Sequence, residues 1–189
     1  MKPVLMIHEF REEMLALPLE DYVLTFDDGL FSQYYYFERI KHLKTEKIFF
    51  ISTNIVCDPD TVQSMEFPPC HEAHEKAFAG NREDYMTLEQ IRELAQDPMV
   101  RIGGHSHYHK NVGQMHKLFD QVRHIDEDTK LMMDWFKTNL GKAPIDYCFP
   151  YNQDMSGNYK LFLSKYNFLN FYGRERLAIE ELLWQSISQ

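Results

Sequence analysis

The reading of this chain turns on Tyr22-Val23-Leu24-Thr25-Phe26-Asp27-Asp28-Gly29. Tyr22 to Thr25 reads as strand, because β-branched and aromatic side chains fit a pleated, half-buried surface. The strand runs into two adjacent carboxylates and a glycine, which supplies a sharp exit. Neighbouring carboxylates repel, and burying both is costly unless a cation or a shared proton compensates. A metal ion removes that cost: one Asp binds it and the other is left as a base. Asp-Asp-Gly alone is equally good chemistry for a surface turn, so its meaning depends on the rest of the chain.

A second stretch, Gly103-Gly104-His105-Ser106-His107-Tyr108-His109, follows the strand-like run Met99 to Ile102. His105 and His109 are four apart, the spacing that places two imidazoles on one face of a helical turn. Two His and one Asp make a common catalytic zinc set with a position left open for water. A third stretch, Cys148-Phe149-Pro150-Tyr151-Asn152, ends another strand-like run at Ile145 to Tyr147. Residues and spacing by themselves reach as far as a metal hydrolase.

Thr-Phe-Asp-Asp-Gly, then His-Ser-x-x-His, then Pro-Tyr, in this order and at about these separations, resembles the polysaccharide deacetylases, carbohydrate esterase family 4. The first two motifs together are specific, whereas Pro-Tyr alone is weak. The resemblance runs from about Val4 to about Ile179. It implies an α/β fold, a distorted (β/α) barrel in a single domain over residues 1–189. It also implies metal-dependent hydrolysis of an N-acyl group, usually N-acetyl, on a sugar.

By the same resemblance, Asp28, His105 and His109 bind the metal, and Asp27 is the general base. The Tyr151 backbone N–H stabilises the oxyanion. The expected cofactor is one divalent ion, zinc first; cobalt, nickel or iron would suit the same donors. The chain departs from the fullest family pattern in three places. Cys148 stands where an Arg often contacts the base, and a later Arg substitutes in one branch, which points to Arg174 or, preferably, Arg176. The family's Asp/Trp motif is absent, and Trp135 and Trp184 read as core. The usual C-terminal acid is missing too, since no His follows His124. In some rearranged relatives a His from a segment like Leu5-Met6-Ile7-His8 serves instead, so His8 is the expected general acid. An imidazole's ordinary pKa suits proton donation near neutrality.

Composition narrows the partners. The chain has 189 residues and a net charge of −9, from 29 acidic and 20 basic residues. Without a basic cluster, that balance argues against nucleic acid and anionic membrane surfaces. No apolar run approaches the roughly 18 residues of a membrane span. The start lacks the apolar region of a signal peptide, and the three cysteines, Cys57, Cys70 and Cys148, share no metal-type spacing. They read as free thiols, and a cytoplasmic location is expected. The expected partner is an N-acylated sugar or saccharide precursor, which fits surface-polysaccharide or O-antigen assembly. Oligomeric state is not fixed by the sequence.

Elsewhere, Val4 to Ile7 reads as a buried strand and Leu30 to Lys44 as a helix with a mostly core-facing aromatic cluster. Lys47 to Ser52 reads as a buried strand. Residues 54–84, rich in Pro and His, read as an irregular insertion carrying a helix near the barrel mouth. There His71 and His74 are three apart, which is not zincin spacing. Thr87 to Gln90 has a capping-box pattern. Met115 to Leu140 reads as an amphipathic helix closed by Gly141, with His116 and His124 on its surface. Ser156 to Tyr166 is helix-like, and Phe168 to Tyr172 strand-like. Two other functions are compatible with the sequence: a catalytically silent saccharide- or partner-binding fold, and a hydrolase of a non-sugar amide or cyclic imide.

Overall fold

The computed structural model describes residues 2–155 and 159–187. Among the described residues the chain forms seven strands and seven α-helices. The strands are β1 (Val4–Ile7), β2 (Val23–Phe26), β3 (Lys47–Ile51), β4 (Val100–Gly104), β5 (Asp146–Cys148), β6 (Asn170–Tyr172) and β7 (Leu177–Ala178). The helices are α1 (Phe31–Tyr35), α2 (Phe37–Ile40), α3 (Cys70–Phe78), α4 (Leu88–Leu94), α5 (Leu118–Leu140), α6 (Tyr159–Leu163) and α7 (Ile179–Ile187). The sheet order is β6-β5-β4-β3-β2-β1-β7. The pairs β1–β2, β1–β7, β2–β3, β4–β5 and β5–β6 are parallel. Parallel neighbours need crossovers; α-helices lie in those from β2 to β3 and from β5 to β6, whereas β1 and β2 are joined through two 3-10 turns at Glu12–Ala16 and Leu19–Asp21.

The chain forms two compact units. The first comprises Met1–Phe49, Ile55–Arg101 and Arg176–Gln189, and the second Phe50–Asn54 and Ile102–Glu175. In the first, Leu5, Ile7, Leu24, Phe26, Ile48 and Phe49 are buried, and Phe26 stacks on Phe49 with ring centroids 4.5 Å apart. Strands buried on both faces read as near-continuous apolar runs. Residues 54–84 share a small core with Leu30 and Tyr85, to which they contribute Ile55, Cys57, Ala73 and Ala77. In the second unit, α5 buries Ile125, Met132, Met133 and Phe136. Gly103 of β4 lies so close to the Phe50 ring that a Cβ there would sit 2.6 Å from it.

Several expectations meet the structure unchanged. The Thr87 hydroxyl and the Gln90 side chain close a capping box, and Gly141 ends α5 in the left-handed conformation at φ 73°. Others need correction. Leu30 to Lys44 is two short helices that break at Tyr36. Phe31 on the first and Phe37 on the second are both buried. Trp184 is not core; it is 72% exposed. His124 is not a surface residue: its side chain is 16% exposed and lies 3.9 Å from Asp128. Of the helix-like stretch from Ser156, residues 156–158 lie outside the described part, and α6 covers Tyr159–Leu163. Among the described residues, no helix is long and apolar enough to cross a membrane.

Candidate active site

In the first unit the site residues gather where β1 and β2 end. The register pairs Ile7 with Phe26, so His8 and Asp27 emerge side by side. The side-chain amide of the buried Gln33, on α1, donates to the His8 carbonyl at 2.7 Å and to the Asp27 carbonyl at 2.5 Å. One side chain thereby fixes both strand ends. Asp28 has φ 75° and Gly29 φ 83°. Asp tolerates the left-handed region better than most residues, which explains why Asp-Asp-Gly can turn this sharply.

Both carboxylates are buried. Arg176, immediately before β7, meets Asp27 as a two-pronged fork: Nη1 donates to Oδ1 at 2.7 Å and Nη2 to Oδ2 at 2.8 Å. The side chains are 0% and 3% exposed. Nη1 also donates to Thr25 Oγ1 at 3.1 Å, and that hydroxyl donates to the Leu5 carbonyl at 2.7 Å. The guanidinium offsets the cost of burying the Asp27 charge and sets the plane of the carboxylate. A carboxylate has about four acceptor sites, and the fork takes one on each oxygen. His8 is 29% exposed, with Nε2 4.0 Å from Asp27 Oδ2. Arg174, the alternative partner, instead donates to the Asn152 carbonyl at 3.2 Å and is exposed.

The same unit holds groups that sequence reading did not place here. Glu9 accepts from the Cys70 N–H at 3.1 Å, which ties the start of α3 to the end of β1. His74 on α3 is buried, and its Nε2 is 3.6 Å from Asp28 Oδ1. His8, Asp28 and Cys70 bring one potential ligand atom each within 4.8 Å of one another. Burial, then the nearby charges of Asp28 and Glu9, push the Cys70 thiol up to about 12, so it stays protonated.

In the second unit the histidines follow β4, but not on a helical turn. Residues 105–110 are irregular, with Ser106 at φ 67° and His109 at φ 50°. The imidazoles still converge: the two Nε2 atoms are 3.2 Å apart. Three anchors hold the loop. The Ser106 hydroxyl accepts from the His109 N–H at 2.9 Å. The Ser52 hydroxyl donates to the His105 carbonyl at 2.9 Å. Asp128 of α5 accepts from the N–H groups of His107 and Tyr108 at 2.8 and 2.7 Å. Asp128 was not singled out from the sequence, although a signal exists: it sits on the buried stripe of an amphipathic helix, where a carboxylate needs a reason. The His107 ring turns to the Thr53 hydroxyl, at 2.7 Å.

His105 Nδ1 lies 2.9 Å from the Cys148 carbonyl. A carbonyl has no proton to give, so Nδ1 is the donor, and a neutral ring then carries its lone pair on Nε2. The facing Nε2 atoms can share one proton or hold one cation. With Zn–N bonds near 2.0–2.1 Å, the ligand–ligand edge of a tetrahedral site is about 3.3 Å, close to the spacing found. The donor set thus fits a divalent ion, and the backbone carbonyl behind His105 is the usual support for a ligating imidazole. After β5, Tyr151 and Asn152 adopt φ 56° and 52°, and the Tyr151 ring centroid is 4.9 Å from that of His109.

No family model matches the chain, and no curated protein matches it in sequence. Its fold is nevertheless shared with solved structures. IcaB from Ammonifex degensii is 18% identical with a TM-score of 0.66, over 98% of this chain and 95% of that one. The deacetylase domain of BpsB from Bordetella bronchiseptica is 14% identical, with a TM-score of 0.65 over 94% of each chain. The Streptococcus pyogenes deacetylase PplD, in complex with acetate, is 14% identical with a TM-score of 0.64, over 97% of this chain and 96% of that one. At these identities the likeness establishes the fold, the α/β distorted-barrel type expected from the sequence.

Proposed function

We propose that this chain belongs to the polysaccharide deacetylase family and is a metal-dependent hydrolase that removes an N-acyl group, N-acetyl first, from a sugar or saccharide precursor. The observation that carries the proposal is the buried Asp27, held on both oxygens by Arg176 with His8 beside it. A surface turn would need no such buried countercharge. The likeness to a de-N-acetylase from Aggregatibacter actinomycetemcomitans (TM-score 0.62, 14% identity) and to the deacetylases above supports the choice of reaction.

Asp28, His105 and His109 would hold one divalent cation, zinc first. When bound, the cation supplies Lewis-acid polarisation of the acyl carbonyl and a more acidic water. Asp27 takes the proton of the attacking water on an oxygen lone pair that Arg176 does not use. The Arg176 fork keeps that carboxylate in one orientation throughout. The Tyr151 N–H, set in a turn with strained backbone, stabilises the oxyanion. His8 protonates the departing sugar amine, which is a poor leaving group without that proton. The chain's acidic balance and three free cysteines support a cytoplasmic substrate, namely a nucleotide-linked or lipid-linked precursor of a surface polysaccharide such as O-antigen.

The test is amine release from a panel of N-acetyl and N-formyl saccharides by the zinc-loaded full chain. Turnover by the parent, reduced about 10²–10⁴-fold in Asp27→Asn, is the expected result. A zinc-loaded parent that releases no amine from any N-acylated saccharide would contradict the proposed reaction.

A further inference from the structure

One buried imidazole beside Asp28 has no part in the chemistry above. His74 lies on the buried face of α3 with Ala73 and Ala77. Its Nδ1 is 2.8 Å from the Cys70 carbonyl one turn earlier. As with His105, the carbonyl can only accept, so Nδ1 carries the proton. In the neutral ring the lone pair is then on Nε2, the atom 3.6 Å from Asp28 Oδ1. That separation is too long for a hydrogen bond, whose N···O distance is about 2.9 Å. It is, however, the spacing of two donors on one small cation: bonds of 2.0–2.2 Å give a tetrahedral edge of about 3.3–3.6 Å.

Tautomer and aim agree. A lone pair turned toward a carboxylate oxygen is repulsive unless something positive, a proton or a cation, lies between them. A backbone carbonyl on the far nitrogen is how proteins commonly fix a ligating imidazole. The ring is also held from the sides, by stacking on Phe78 at 5.7 Å and by the edge of Tyr85 at 6.0 Å between centroids. The helix that carries it is pinned next to His8 through the Glu9–Cys70 hydrogen bond. His71, on the same helix, has a side chain 72% exposed and takes no part.

We propose that His74 is a further ligand of the cation that Asp28 holds, so the metal set of this chain extends onto the insertion helix and water takes a fifth position. The inference rests on the metal-site reading above. The test is zinc-edge X-ray absorption of the zinc-loaded full chain, which counts imidazoles by their outer-shell scattering, together with zinc affinity by chelator competition. The expected count is three imidazoles in the parent and in His71→Ala, and two in His74→Ala and His74→Gln. Zinc affinity is expected to fall at least 10-fold in both His74 variants.

Two imidazoles in the parent would overturn the inference without recourse to any variant. An unchanged count in a His74 variant would do so as well, even with weaker binding, because it would make His74 a residue that only positions Asp28. A parent that takes up no zinc would overturn the metal site itself, a distinct failure from that of His74 alone.

Discussion

The ends of β2 and β4 both present polar side chains from a strained turn, yet they are held in opposite ways. At the end of β2 the problem is charge. Asp27 is buried as a carboxylate, and its support is a guanidinium 149 residues away in the chain. At the end of β4 the problem is direction. The imidazoles need a defined tautomer and a fixed loop, and these come from backbone carbonyls, a local Ser106 turn and the Asp128 carboxylate. The first is an electrostatic support that one substitution removes; the second is spread over several hydrogen bonds. Damage at the two ends should therefore differ in size and in kind.

The largest effect belongs to Arg176→Met. Removing one partner of a buried ion pair leaves an uncompensated charge, at a cost of about 3–5 kcal/mol. Urea unfolding of parent and variant measures it, and a loss below about 1 kcal/mol would mean that the Asp27 charge is supported by something else. At the other strand end, Asp128→Ala strips the acceptor from two backbone N–H groups, each worth about 1–3 kcal/mol if left buried and unsatisfied. Chelator competition should also show weaker zinc binding, by about 10-fold or more, because this loop carries both histidines. Zinc affinity unchanged by Asp128→Ala would break the link between the loop anchor and the metal.

A smaller effect sharpens the backbone side of the comparison. Gly29→Ala places a Cβ at φ 83°, which costs about 1–2 kcal/mol in thermal or urea unfolding. An equal loss from Gly80→Ala, in the insertion, would be expected on backbone grounds too, since that glycine has φ 101° with open space around it. Only Gly29→Ala should also weaken zinc binding, because it alone disturbs the Asp28 turn.

The smallest effect is a pH dependence beneath the histidine loop. Burial lowers the pKa of His124 from its ordinary 6.5, against the attraction of Asp128. The unfolded chain therefore binds the proton more readily than the folded one. The sign follows: this contribution is fully present above pH about 6.5 and is lost as pH falls through the unfolded value toward the lower folded one. Stability should decline from pH 7 to 5, and His124→Gln should flatten part of that slope. An identical slope in the variant would assign the decline to other groups.

The comparison also explains what was legible in the sequence. Asp27-Asp28-Gly29 could be read because the turn demands those residue types in contiguous order, and the strand ahead of it carries a β pattern. The parallel strands were legible as apolar runs. The break at Tyr36 was not, since no Pro or Gly marks it. The helical turn expected at His105 and His109 was misplaced because i, i+4 spacing only suggests a helix, whereas Ser106 and His109 turn through the left-handed region. His74 carries no local signal, because its spacing from His71 is not that of a zincin; its neighbour in space is Asp28, a long-range contact that no local pattern encodes. Asp128 alone left a readable trace, as a carboxylate on an apolar stripe.

Metal content tests most directly the proposal that Asp28, His105 and His109 are ligands of one cation. The measurement is mass-spectrometric metal analysis of the purified, zinc-reconstituted chain beside Asp28→Ala and His105→Ala. The account expects about one zinc per chain in the parent and little in either variant. A parent that binds no metal after reconstitution, or one whose metal survives both substitutions, would contradict it.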